Sequence, residues 1–122
     1  MPLYRLTAVN DILAAIARIE RYLDGATDES FQTDALRQDA VIRCLEVISE
    51  ASRRVPDAYK NGYPHIPWRE IAGIGNILRH EYQRVSISMI WNIASTGLFE
   101  LKDAAVGIQK ALNQASQDQS TN

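Results

Sequence analysis

The sequence has little of what builds disulfide-rich or turn-rich proteins. Its 122 residues include one cysteine, four prolines and six glycines. The single cysteine, Cys44, excludes an intrachain disulfide and fits a reducing, cytoplasmic setting. The shortage of glycine and proline disfavours a fold of many short strands and favours long helices.

Net charge, hydropathy and histidine spacing argue against three further classes of protein. The formal net charge is −2, whereas proteins that bind nucleic acid over a broad surface carry a strong basic excess, so we expect any RNA contact to be local. No apolar run approaches the about 18–20 residues of a membrane span, so no membrane association is expected. The two histidines and the cysteine lack the HxxxH, ExxH or CxxC spacing of metal sites, so neither a metal nor a cofactor is expected.

The apolar residues recur three and four positions apart in four long segments, the spacing of amphipathic helices. We predict these helices at residues 7–23, 34–55, 68–82 and 86–112, the last kinked at Gly97. Short polar links between them, one anchored by Phe31, predict an all-α antiparallel four-helix bundle with short extra helical segments. Residues 1–112 then form the domain, and the polar residues 113–122 form a disordered tail.

Residues 76–84 carry the side chains best suited to chemistry. Asn76 and His80 are four residues apart and share a helix face. Imidazole is the side chain that ordinarily exchanges a proton near neutral pH, which suits His80 to proton transfer. Arg79 and Arg84 could hold phosphates, and Tyr82 adds a phenol.

Each of these residues also has an ordinary structural interpretation. A lone histidine near a helix end commonly caps the helix or faces solvent. A tyrosine such as Tyr82 is commonly a packing residue, and arginines are commonly solvated. Cys44 lies on the apolar face of its helix, which is typical of a small buried hydrophobic residue.

The order of several sequence blocks resembles one protein family, the HepT-like toxins of the HEPN superfamily. The blocks are IERY at residues 19–22, QDAVIRCLEVI at 38–48, YPHIPWREIAG at 63–73 and HEY at 80–82. The resemblance implies a helical homodimer whose R-x-x-x-x-H-x-Y motifs meet near the dimer interface and cleave RNA without a metal. It also implies a partner, an MntA-type nucleotidyltransferase antitoxin, that transfers AMP onto the motif tyrosine.

The resemblance assigns three motif positions and leaves one unfilled. The histidine is His80, the polar second position is Asn76 and the tyrosine, which would be the modified residue, is Tyr82. The leading arginine of the motif is Gly75 here. Since that arginine would stabilise charge on the phosphoryl oxygens, its absence implies a weakened or disabled ribonuclease.

Three accounts of Gly75 remain open from sequence. Arg79 lies one turn later on the same face, and long helical side chains lean towards the N-terminus, so its guanidinium could fold back into the missing position. Arg79 could instead be merely solvated, or Gly75 could be a detoxifying substitution. The intact Asn76, His80 and Tyr82 favour a ribonuclease toxin. Gly75 favours the alternative, a non-catalytic nucleotidyltransferase-binding subunit that presents Tyr82.

Overall fold

The computed structural model describes residues 2–81 and 85–120. Within those ranges every regular element is an α-helix, as the sequence predicts. The helices are α1 (Pro2–Tyr22), α2 (Asp28–Gln32), α3 (Ala35–Arg54), α4 (Asp57–Lys60), α5 (Trp68–His80), α6 (Ile87–Ser95) and α7 (Phe99–Ser120).

The long helices bury their apolar stripes in one shared core, which confirms the helical bundle. Helix α1 packs on α3 and α7, and α3 packs on α5. Ile12 and Ile19 of α1, Val41 of α3 and Ile108 of α7 are almost completely buried. Each was placed in this core by the three-and-four spacing of its helix, which aligns its side chain with the buried face. None of the described helices has the length and apolarity that crossing a bilayer requires.

The predicted fourth helix is two helices. Its C-terminal half begins at Phe99, after a break at residues 96–98, so the expectation of one kinked helix was wrong. The hydroxyls of Ser95 and Thr96 donate to the carbonyls of Trp91 and Asn92, at 2.6 and 3.0 Å. Such side-chain bonds compete with the backbone ladder of a helix. A Cβ at Gly97 would stand 2.9 Å from the Ile93 carbonyl oxygen, so glycine permits the tight turn at residues 96–98.

Two helix ends also differ from the predicted boundaries. Helix α1 begins at Pro2 rather than near Thr7, and α7 reaches Ser120 rather than ending near Leu112. Leu112 is nonetheless buried, whereas residues 113–118, the following part of α7 whose burial is described, are exposed. Residue 112 therefore marks the end of burial, not the end of the helix, and disorder of residues 113–122 in solution stays a prediction.

The polar link after α1 is organised by a capping box and one aromatic anchor. Thr27 accepts from the Ser30 amide at 3.1 Å, and Ser30 Oγ accepts from the Thr27 amide at 2.9 Å. This reciprocal pair starts the short helix α2. Phe31 is completely buried, with its ring 5.4 Å from that of Trp91, so α2 is fixed against α6.

Candidate active site on helix α5

Helix α5 begins at a well-anchored loop and presents the candidate catalytic residues at its C-terminal half. Trp68, its first residue, donates from Nε1 to the Tyr63 carbonyl at 3.2 Å. Asn76 and His80 are both exposed, and His80 is the last residue of the helix. They lie one turn apart on the same open side, so the structure places these two predicted site residues together.

Ser49 joins α3 to the backbone of α5. Its hydroxyl donates to the Ala72 carbonyl at 2.9 Å and accepts from the Gly75 amide at 2.9 Å. Ser49 is buried, with only 2% of its surface exposed. Burying a hydroxyl is unfavourable unless it is hydrogen-bonded, and these two bonds satisfy it. Because the serine side chain is short, both bonds form only where α3 and α5 approach closely.

Gly75 is the residue that permits this approach. A Cβ at position 75 would stand 2.9 Å from Ser49 Oγ and 3.2 Å from Ser49 Cβ. The first separation is shorter than real Cβ contacts and the second is tight, so a side chain here would force the helices apart or break the Ser49 bridge. The glycine at the motif-arginine position therefore has a packing role.

Arg79 lies against the same glycine. Its Nη1 atom is 3.3 Å from the point where a Cβ of residue 75 would stand. The guanidinium thus extends back along α5, across the surface that Gly75 leaves uncovered. Within the part of the chain that the structure describes, the side chains of Arg79 and His80 make no hydrogen bond or ion pair, which leaves their polar atoms accessible to a ligand.

Arg53 of α3 adds a second guanidinium along the contact between α3 and α5. Its Nε and Nη2 atoms donate to the Ala72 carbonyl at 3.1 and 2.8 Å, although the residue is exposed. Neither Ser49 nor Arg53 was predicted from the sequence as part of the site. The sequence offered one indication of their role. Ser49 and Arg53 are polar residues four positions apart, next to the apolar stripe of their helix.

Two residues assigned from the sequence, Tyr82 and Arg84, lie outside the described residues. Their roles therefore stay predictions. Among the residues that are described, no three or more His, Cys, Asp or Glu side chains lie together in a group that could hold a metal ion. What the structure brings together on α5 is an imidazole, a carboxamide and a guanidinium.

Several proteins described as ribonucleases are similar to this chain in sequence. A protein of Methanocaldococcus jannaschii described as a gamma-glutamylcyclotransferase and putative RNase is 35% identical over 86% of this chain, which spans only 47% of that relative. A probable ribonuclease HepT of Thermococcus cleftensis is 38% identical, over 77% of this chain and 86% of the relative. A putative RNase of M. jannaschii is 36% identical, over 85% of this chain and 90% of the relative.

The family comparison agrees with these relatives. None of the solved structures gives a significant match to the chain. The family model described as ribonuclease HepT-like matches residues 12–108, which include α3, α5, α6 and every described residue of the candidate site. The chain therefore belongs to the HepT-like family.

Proposed function

We propose that this protein is a metal-independent endoribonuclease and the toxin of a toxin–antitoxin pair, with His80 as its proton-transfer group. The observation that carries the proposal is the side-by-side exposure of Asn76 and His80 on α5, with the Arg79 guanidinium turned back over Gly75. The relatives support the reaction class, since their descriptions name probable or putative ribonucleases.

The reaction that suits these groups is internal transesterification of RNA. The ribose 2′-oxygen bonds to the adjacent phosphorus, the bond from phosphorus to the 5′-oxygen breaks, and a 2′,3′-cyclic phosphate forms. His80 takes the proton from the 2′-hydroxyl or delivers one to the departing 5′-oxygen. No metal is required, because an imidazole moves the proton and a guanidinium balances charge on the phosphoryl oxygens.

In this proposal Arg79 replaces the arginine that the motif lacks. Arg79 and residue 75 are one turn apart, and the Arg79 Nη1 atom already lies 3.3 Å from the Cβ position of residue 75. A guanidinium at phosphoryl transfer is worth about 10³–10⁵ in rate, so the site would be nearly inactive without one. Asn76 would orient a phosphate or ribose oxygen by hydrogen bonding.

We also propose that the active form is a homodimer joined near α5 and α6. Ile77 and Met89 are large apolar residues with 40% and 50% of their surfaces exposed. They line one shallow apolar pocket between α5 and α6, beside the turn that carries His80. Covering this patch with a second copy would remove apolar surface from water and bring two His80 side chains near one interface.

The direct test is cleavage of end-labelled RNA in EDTA by the wild type, His80→Ala and Arg79→Ala. Lys110→Ala is the matched control, since Lys110 is an exposed cation on α7 and not on α5. We expect cleavage by the wild type and the control, and a loss of about 10²–10³ or more in rate for the other two. Full activity of His80→Ala, or cleavage that needs a divalent metal, would overturn the proposal.

A second candidate function rests on Gly75 itself, which removes the motif arginine. In that case the protein is a non-catalytic subunit that binds an MntA-type nucleotidyltransferase and presents Tyr82 as the acceptor of AMP. The test is intact mass after incubation with the cognate transferase and ATP. Added AMP on the wild type but not on Tyr82→Phe, together with no RNA cleavage by any variant, would favour this function over the first.

A further inference from the structure

Arg53 is held in one place on the protein surface, which is unusual for an exposed arginine. Two of its N–H groups donate to the Ala72 carbonyl, at 3.1 and 2.8 Å. A guanidinium has five N–H donors, so about three remain available to a ligand. Because the side chain is already ordered, binding a phosphate would cost less conformational entropy than it costs a freely rotating arginine.

The position of Arg53 relates it to the proposed reaction centre. Its anchor, Ala72, lies eight residues before His80 on α5, about 12 Å along a helix that rises 1.5 Å per residue. That distance corresponds to about three or four phosphates of a stacked strand at about 3.4 Å each, and to fewer when the strand is extended. Arg53 is therefore too far to contact the phosphate that reacts at His80, and is well placed for a neighbouring one.

The exposed side of α5 that carries Asn76 and His80 also carries Arg69, near the start of the helix. Arg69, Asn76 and His80 are separated by seven and four residues, which places all three on one side of the helix, and all three are exposed. Between them, Gly73 has no neighbouring atom within 4 Å of where its Cβ would stand. Glu70 is the adjacent acid, but it is turned about 100° around the helix from Arg69.

We propose that Arg53 and Arg69 bind phosphates of the RNA strand beyond the cleaved bond, so that a single strand lies along α5 from His80 towards Trp68. This proposal rests on the proposed ribonuclease function and adds the substrate class, a single strand several nucleotides long on one side of the scissile bond. It also accounts for local RNA binding by a protein whose net charge is −2. Base identity is not read by these contacts, because phosphates carry no sequence information.

The binding test uses the His80→Ala protein, which does not consume its ligand, and fluorescence anisotropy with a labelled single-stranded RNA decamer and a dinucleotide. Arg53→Ala and Arg69→Ala are each compared with Lys110→Ala. We expect each to weaken decamer binding about 3- to 10-fold and to lower the dependence of log K on log salt by about 0.7, the value for one phosphate contact on a single strand. Dinucleotide binding should not change, and Arg53→Lys should keep most of the salt dependence.

Two outcomes separate this inference from the proposed function. Unchanged decamer affinity in Arg53→Ala and Arg69→Ala, or an equal loss for decamer and dinucleotide, would overturn the proposed strand path. The second pattern would show that Arg53 acts only by holding α5 in place. A third result is possible: the wild type binds the decamer in a way that depends on Arg53 but cleaves no RNA. That result would support the strand path and overturn the proposed reaction.

Discussion

Ser49 and Gly75 are joined across α3 and α5 by a 2.9 Å hydrogen bond from the Gly75 amide to the Ser49 hydroxyl. The same hydroxyl donates to Ala72, so one buried side chain satisfies two backbone groups of α5. This contact requires a residue without a Cβ at position 75. Position 75, where the family resemblance predicts an arginine, is thus also the position on which the packing of α3 against α5 depends.

Restoring the motif arginine should destabilise the protein. In Gly75→Arg the new Cβ would meet Ser49 Oγ at 2.9 Å, and overpacking of this kind costs about 1–3 kcal/mol. The better helix preference of arginine offsets less than about 1 kcal/mol of that cost. We expect a lower midpoint in thermal or urea unfolding, and partial recovery when Ser49→Gly is added, because that second change removes the two Ser49 atoms nearest to the new Cβ.

The matched control for that experiment is Gly73→Arg on the same helix. Gly73 has nothing within 4 Å of its Cβ position, so the substitution should leave stability unchanged or raise it by up to about 1 kcal/mol. An equal loss of stability in Gly73→Arg and Gly75→Arg would contradict the role given to the Ser49 contact.

Self-association should depend on the exposed apolar residues beside His80. Ile77→Asp and Met89→Asp place a charge in the proposed interface, where an unpaired buried charge is strongly unfavourable. We expect sedimentation to show a dimer for the wild type and monomers for both variants, with reduced RNA cleavage. The control is Leu36→Asp, since Leu36 is 82% exposed on α3. Dissociation by Leu36→Asp alone would place the interface at the start of α3.

A side chain at Gly107 of α7 should destabilise the protein, because the hydroxyl of Tyr63 occupies the position where the Cβ would stand. Gly107→Ala should therefore lose about 1–2 kcal/mol, despite the greater helix preference of alanine. Adding Tyr63→Phe removes the hydroxyl and should restore much of that loss in urea unfolding. Equal effects of Gly107→Ala with and without the Tyr63→Phe substitution would show that the two positions are not coupled.

Cys44 should react slowly with thiol reagents in the folded protein. Burial raises the pKa of the Cys44 thiol, and the charges of Arg18, Arg43 and Arg21 offset only part of that rise. Since the thiolate is the reactive form, we expect slow labelling at pH 8 and fast labelling in denaturant. The unfolded chain releases this proton first, so stability should fall as pH rises above about 8.5. Rapid labelling of the folded protein would contradict this burial.

The features that could be predicted from the sequence are those set by the spacing of residues within one helix. The spacing of residues such as Ile12 and Ile19 identified a helix and its buried face, because a helix of 3.6 residues per turn aligns those positions whatever they pack against. The same regularity placed Asn76 beside His80. The break at residues 96–98 was missed, since it depends on the hydroxyls of Ser95 and Thr96 bonding to the preceding turn.

Local sequence pattern was enough to predict the family, the helical bundle and the shared side of Asn76 and His80. The tertiary structure alone decided why position 75 is a glycine and where Arg53 is held. Both depend on the contact between α3 and α5, which joins residues 26 and 19 positions apart in the chain. Helical periodicity says which side of a helix is apolar, but it does not say which polar atom of a neighbouring helix will meet a given backbone group.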